Sequence, residues 1–151
     1  MIYQVDANLL EYPVQGFIHQ CNCFHTMGAG IALRIATKYP EAYEADLKTQ
    51  SGDYKKMGTF SFAKTKDDKT VFNLYSQYTF GRDKRHTSYD AVCNGLMAIK
   101  QYAEENKLEA LGLPKTMGCK LGGGSWRIVK AIIFDIFDES PINLYICNYD
   151  G

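Results

Sequence analysis

The sequence predicts an α/β fold, a mixed six-stranded sheet held between two layers of helices. Three observations carry this. Strand-like and helix-like stretches alternate along most of the chain. The second strand, Phe17 to Asn22, opens as a nearly unbroken apolar run, which suits a strand buried on both faces of a parallel sheet. Two glycine-rich segments, Gly28–Gly30 and Gly118–Gly124, each follow a strand and precede a helix. With 151 residues the chain fits a single domain, residues 1–151, long enough for a real core.

The elements follow in order. Met1 to Val5 carries Ile2, Tyr3 and Val5 and reads as a short first strand. Asp6-Ala7-Asn8 turns, Leu9-Leu10 is apolar, and Pro13 closes the connection. A helix runs from about Ala29 to Lys38 and stops at Tyr39, because a residue before proline leaves the α region. A second helix starts after Pro40 and reaches about Gln50. Met57 to Ala63 and Thr70 to Tyr75 form a β-hairpin around the charged tip Lys64 to Lys69. Ser76 to His86 is an irregular aromatic and basic loop. Thr87 to Asp90 caps a long helix ending near Asn106, whose Val92, Leu96, Ile99 and Ala103 recur at helical spacing. Leu108 to Leu113 is a strand and Pro114 to Ser125 the second glycine-rich loop. Trp126 to Phe137 is a helix with an isoleucine stripe, and Ile142 to Cys147 is the last strand.

Composition narrows the function classes. Lysine plus arginine and aspartate plus glutamate both number 17, so no basic excess predicts nucleic-acid binding by the surface as a whole. The N-terminus lacks a basic segment followed by a long apolar one, so no signal peptide is expected. No apolar run approaches the ~20 residues that span a bilayer. The expectation is a cytoplasmic monomer. The 5 cysteines are an odd number and read as reduced thiols. His19, Cys21, Cys23 and His25 alternate in a metal-like pattern. An extended strand would spread them over ~20 Å at ~3.3 Å per residue, whereas zinc ligands lie within ~2.3 Å of the ion. No metal and no cofactor is expected.

The glycine-rich segments carry the chemistry. Glycine lets the backbone approach a ligand closely, and the first N–H groups of a helix have no intrahelical partner. One such loop makes an anion site; two facing each other at the carboxyl ends of strands make a cradle for a diphosphate. Neither has the P-loop spacing, and neither has the G-x-G-x-x-G of a dinucleotide fold with an acid ~20 residues on.

Three stretches resemble a known family. These are Ile18-His19-Gln20-Cys21-Asn22-Cys23, then Met27-Gly28-Ala29-Gly30-Ile31-Ala32, then Lys38-Tyr39-Pro40-Glu41-Ala42. They resemble the macro domain, most of all its branch of stand-alone ADP-ribose-1''-phosphate phosphatases. Leu113-Pro114-Lys115 through Gly118-Cys119-Lys120-Leu121-Gly122-Gly123 to Trp126 is similar to that fold's second phosphate loop. Asn73 to Gln77 with Phe80-Gly81 is similar to its segment beside the distal ribose.

The resemblance implies a ligand, ADP-ribose or ADP-ribose-1''-phosphate, and a set of positions. Asn8 and Leu9 match the adenine-contacting turn, where many members have aspartate instead of Asn8. Asn22 faces the distal ribose. Gly28, Ala29, Gly30 and Ile31 match the first phosphate loop. Gly118, Cys119, Lys120, Leu121, Gly122 and Gly123 match the second. Tyr149 stacks on adenine or is an ordinary edge aromatic. Pro114 to Gly118 is one residue longer than is common. Lys120 replaces a usual glycine and either adds a cation near phosphate or points to solvent. Another branch removes ADP-ribose from carboxylates with a lysine and an aspartate; those positions here are Gln77 and Gly122, which argues against that lysine chemistry.

Hydrolysis of a phosphate monoester would need a proton shuttle. His19 is one candidate and a core histidine the alternative reading of it; His25, in the loop, competes, and Asn22 orients ribose or water. Arg82 is a candidate for reaching the ligand, and Arg85 and His86 for flanking the long helix. The expected function is an ADP-ribose-1''-phosphate phosphatase. The alternatives are an ADP-ribose reader without turnover, or a hydrolase that frees ADP-ribose from a modified macromolecule. A chain made of this domain alone favours the enzyme over the reader.

Overall fold

The computed structural model describes residues 1–81 and 83–149. Arg82 therefore lies outside the described residues. Six strands form one sheet: β1 (Ile2–Asp6), β2 (Gly16–Cys21), β3 (Phe60–Lys64), β4 (Thr70–Tyr75), β5 (Ala110–Pro114) and β6 (Asn143–Asn148). Their order is β1-β6-β5-β2-β4-β3. All neighbours are parallel except β3, which returns antiparallel along β4. Four helices cover the sheet: α1 (Gly30–Lys38), α2 (Pro40–Leu47), α3 (Tyr89–Glu105) and α4 (Trp126–Phe137). This is the mixed three-layer architecture expected of the sequence.

Alternation along the strands explains the layers. On β2, Phe17 joins a cluster with Ile35 of α1, Ala42 of α2 and Tyr39 at their junction. Its neighbour Ile18 joins the opposite cluster with Val92, Leu96, Val129 and Ile133 of α3 and α4. On β4, Val71 and Phe72 divide in the same way. Both strands are therefore buried on both faces, which is why neither reads as polar-apolar alternation. Gly95 lets α3 lie close on β4: an added Cβ would sit 2.0 Å from a methyl of Leu74.

The helix starts differ in a way that matters for function. Ser88 caps α3, its side chain accepting from the Ala91 N–H at 3.2 Å. At α1 the N-cap residue is Ala29, which offers no side-chain acceptor, and the first turn carries no acid. Its leading N–H groups are left for something else.

The boundaries shift modestly. β3 begins at Phe60 and not Met57, because Tyr54–Lys56 closes a 3-10 turn capped by Asp53. α2 ends at Leu47 in a turn where the Thr49 side chain bonds back to the Asp46 carbonyl. No helix among the described residues is long and apolar enough to cross a membrane.

Candidate ligand cleft

The parallel strands end at a cleft of about 1010 Å³. It opens where β2 and β5 lie side by side, and the chain leaves these strands for opposite faces, β2 toward α1 and β5 toward α4. Crevices of open α/β sheets form at such a point. One wall is the loop after β2 with the start of α1; the other is the glycine-rich loop after β5.

Most of the residues singled out in the sequence meet there. Leu9, Asn22, Gly28, Ala29, Gly30, Ile31, Gln77, Gly118, Lys120, Leu121, Gly122 and Tyr149 line the cleft. Asn22 is held in place by its own loop: its Nδ2 donates to Thr26 Oγ1 at 2.6 Å, and its Oδ1 accepts from the Phe24 N–H at 2.9 Å. Lys120 is exposed within the second loop. Tyr149 is 45% exposed at the far end, with the Arg34 guanidinium 5.8 Å from its ring centre.

Five of the expected residues are elsewhere. Asn8 spends its Oδ1 on the Leu10 N–H, 3.1 Å away, closing its own turn. Cys119 turns its thiol to the Met117 carbonyl, and Gly123 packs on the Arg85 backbone. The two histidines are the larger corrections. His19 is completely buried in the α1–α2 layer, where its Nε2 donates to Asn73 Oδ1 at 2.7 Å. Asn73 in turn donates to the Ala42 carbonyl of α2. Burial lowers the His19 pKa to about 4, against a partial upward pull from the Asn73 bond. A neutral ring sealed from the cleft does not suit a shuttle there. His25 turns the other way: its Nε2 donates to the Thr49 carbonyl at 2.7 Å, beyond the end of α2. It adopts φ 60 to do so. Arg85 lies over the Tyr89 ring at 4.5 Å, flanking α3, and His86 meets Asp83 at 3.1 Å.

The cleft also contains residues the sequence reading passed over: Gln20, Cys21, Thr26, Arg34, Lys115 and Thr116 among them. Two signals were available. Gln20, Cys21, Lys115 and Thr116 lie at or just past strand carboxyl ends, and Arg34 lies three residues after Ile31 on one helix face. Cys21 and Cys147 line the cleft, but burial raises the pKa of both thiols, Cys147 to about 11. They stay protonated at neutral pH and are poor nucleophiles.

Arg34, Lys115 and Lys120 line the cleft, and among the described residues no carboxylate does. The open N-terminus of α1 adds partial positive charge. Charge of this sign favours an anionic ligand over a cationic one.

Comparisons with known proteins give the chain's relatives. No family model matches the sequence. An uncharacterized 17.5 kDa protein of phage T4 is 33% identical over 119 residues, which are 76% of this chain and 75% of the phage protein. A DNA ADP-ribosyl glycohydrolase of Thermus aquaticus is 27% identical over 134 residues, 86% of this chain but only 36% of that protein. The chain thus spans about a third of that relative's length. The ADP-ribose glycohydrolase OARD1 of Bos taurus is 28% identical over 146 residues, 96% of this chain and 90% of that one. Among solved structures, a Bacteroides thetaiotaomicron protein of unknown function superposes with a TM-score of 0.86 at 22% identity, covering 98% of both chains. The macrodomain of Thermus aquaticus DarG gives 0.80 at 23% identity, covering 100% of this chain and 99% of that one. Thermosipho africanus DarTG in complex with ADP-ribose gives 0.80 at 19% identity, over 97% of this chain and 41% of that one.

Proposed function

The chain belongs to the macro domain family, and from that premise we propose that it binds ADP-ribose in the cleft and hydrolyses a bond at the distal ribose. The observation that carries this is the lining itself: two backbone-lined loops facing each other, with Lys115 and Lys120 on the second of them or beside it and, among the described residues, no carboxylate. The diphosphate lies between the amides at the start of α1 and those of Gly118–Gly122. The adenosine end reaches Leu9 and Tyr149, and the distal ribose reaches Asn22 and Gln77.

The bond we favour is the phosphate monoester of ADP-ribose-1''-phosphate. Water attacks the terminal phosphorus in line, the P–O bond to the C1'' oxygen breaks, and that oxygen takes a proton from solvent. A phosphoryl transition state keeps its negative charge, which Lys115, Lys120 and the loop amides stabilise. A glycosidic bond breaks through an oxocarbenium-like state that gains positive charge, and the same cations oppose it. With His19 and His25 both turned away, rate enhancement comes from positioning and charge and not from a histidine shuttle.

A second reading is a hydrolase that frees ADP-ribose from a modified macromolecule. The names of the Thermus and Bos taurus relatives favour it; glutamine at position 77 and glycine at 122, in place of that chemistry's lysine and aspartate, do not.

One set of assays separates the readings. ADP-ribose binding is measured by calorimetry, phosphate release from ADP-ribose-1''-phosphate, and ADP-ribose release from a modified oligonucleotide and a carboxylate-linked peptide. Phosphate release, slowed at least tenfold by Lys120→Ala and more so at low salt, supports the phosphatase. Tight binding with no phosphate released rules it out, and turnover of either macromolecular adduct establishes the second reading. Absence of any ADP-ribose binding overturns the assignment of the cleft.

A further inference from the structure

The second glycine-rich loop has few side chains of its own to hold its shape. It is shaped from outside, by two residues of other segments. Thr87, just before α3, is almost fully buried. Its hydroxyl donates to the Gly118 carbonyl at 2.7 Å and accepts from Gln20 Nε2 at 3.0 Å. Its backbone N–H and that of His86 both donate to the Gly122 carbonyl, at 3.1 and 2.8 Å. Gln20, at the end of β2, uses the rest of its amide to fix the neighbouring wall. Its Nε2 also donates to Gln77 Oε1 at 2.6 Å, and its Oε1 accepts from Ser76 Oγ at 2.6 Å.

The loop's glycines fit around this pair. A Cβ at Gly122 would lie 2.4 Å from Thr87 Oγ1 and 2.7 Å from Gln20 Nε2; a Cβ at Gly118 would lie 2.8 Å from Gln20 Oε1. The Gly118 carbonyl also receives the Gly124 N–H at 2.9 Å, closing the loop into a ring over Thr87. Two of its carbonyls are thereby tied to Thr87. The N–H groups of the same two peptides, those of Cys119 and Gly123, are held within the loop and donate to the Thr116 and Lys120 carbonyls at 2.9 and 3.1 Å. With both peptides fixed at each end, the turn between them keeps one shape, and that turn carries Gly118, Lys120, Leu121 and Gly122 on the cleft wall.

We propose that Thr87 and Gln20 are positioning residues that preset the second loop for the diphosphate, with the Thr87 hydroxyl as the joint between β2, the 76–87 segment and the loop. This inference rests on the binding reading above. Removing the hydroxyl takes one of two hydrogen bonds from the Gly118 carbonyl and one of two from Gln20 Nε2, so the loop relaxes and ligand must reorder it.

Three forms test it: the natural chain, Thr87→Val and Thr87→Ser. Valine keeps the shape and loses the hydroxyl; serine keeps the hydroxyl. The expected result is at least a tenfold weaker ADP-ribose affinity for Thr87→Val, with Thr87→Ser within about threefold of the natural chain. In the ligand-free proteins, amide hydrogen exchange should rise for residues 118–124 in the valine variant, with α4 and β2 unchanged. Equal affinity and equal loop exchange in all three overturn the positioning role. A loss shared by serine and valine assigns Thr87 to packing alone and also overturns it. If the natural chain binds no ADP-ribose, the binding reading fails, and the exchange measurement still decides whether Thr87 holds the loop.

Discussion

His19 and Gln20 are neighbours on β2, and strand alternation sends them to different places. His19 enters the α1–α2 core, whereas Gln20 reaches the cleft. In the sequence, His19 looked like the better chemical group. Both faces of this strand are buried, so period-two alternation gives no sign of which side chains meet helix and which meet ligand. The buried ring has a consequence for stability. Its folded pKa, about 4, lies below the ordinary 6.5. Between those values the unfolded chain binds the extra proton, so stability falls as pH drops from 6.5 toward 4 and is fully present above 6.5. At pH 4.5 the loss from this one group is about 2–3 kcal/mol. Urea unfolding of the natural chain at pH 7 and pH 4.5, beside His19→Gln, measures it. The glutamine variant should lose less stability over that interval by about that amount, whatever its stability at pH 7. Parallel pH dependence in the two proteins would show that His19 is not the group being titrated.

The elements around the cleft differ in what holds them. α3 is capped by Ser88 and flanked by Arg85 over Tyr89; α1 begins uncapped on the cleft wall. The glycine loops differ too. A Cβ on Gly28 would meet nothing within 4 Å, while one on Gly122 would strike Thr87 and Gln20. The first loop is thus open at this position, and the second is pressed against protein. Gly28→Ala should therefore leave the ligand-free melting temperature within about 2 °C, as for other substitutions that disturb no packing, and act on ADP-ribose affinity. Gly122→Ala should lower both, with a stability loss of about 1–3 kcal/mol from forced displacement of the loop. Thermal melts with and without ADP-ribose report both quantities. A Gly122→Ala protein as stable as the natural chain would mean that the loop is free to shift. This contrast was not legible in the sequence. The two loops were visible as glycine clusters, but the side chains that shape the second one come from residues 20 and 87, far away along the chain.

For the molecule as a whole, the alternating pattern revealed the parallel sheet and its two helix layers, because burial on both faces leaves its mark on β2 and β4. Strand order was less accessible. β1 pairs with β6, so the two ends of the chain meet at one edge, and no local pattern records a partner so distant. That arrangement nevertheless brings Asn148 and Tyr149 to the same cleft as Leu9, so one cavity spans from a tyrosine at the chain's end to the loops at its centre. A ligand filling it should stabilise the whole fold and not one loop. ADP-ribose at about 100 times its Kd adds about 2.7 kcal/mol to the folded state. For a domain of this size, that corresponds to a rise of about 5–10 °C in melting temperature. Adenosine at the same concentration reaches the Tyr149 end but carries no diphosphate, so its shift should be a small fraction of that, and inorganic diphosphate should give an intermediate one. Raising the salt from 50 to 500 mM should shrink the diphosphate and ADP-ribose shifts and leave the adenosine shift nearly constant, since screening weakens attraction between a diphosphate and the cations Lys115 and Lys120 that line the cleft. If adenosine matches ADP-ribose at every salt concentration, the two loops do not hold the diphosphate, and the cationic lining serves a different anion.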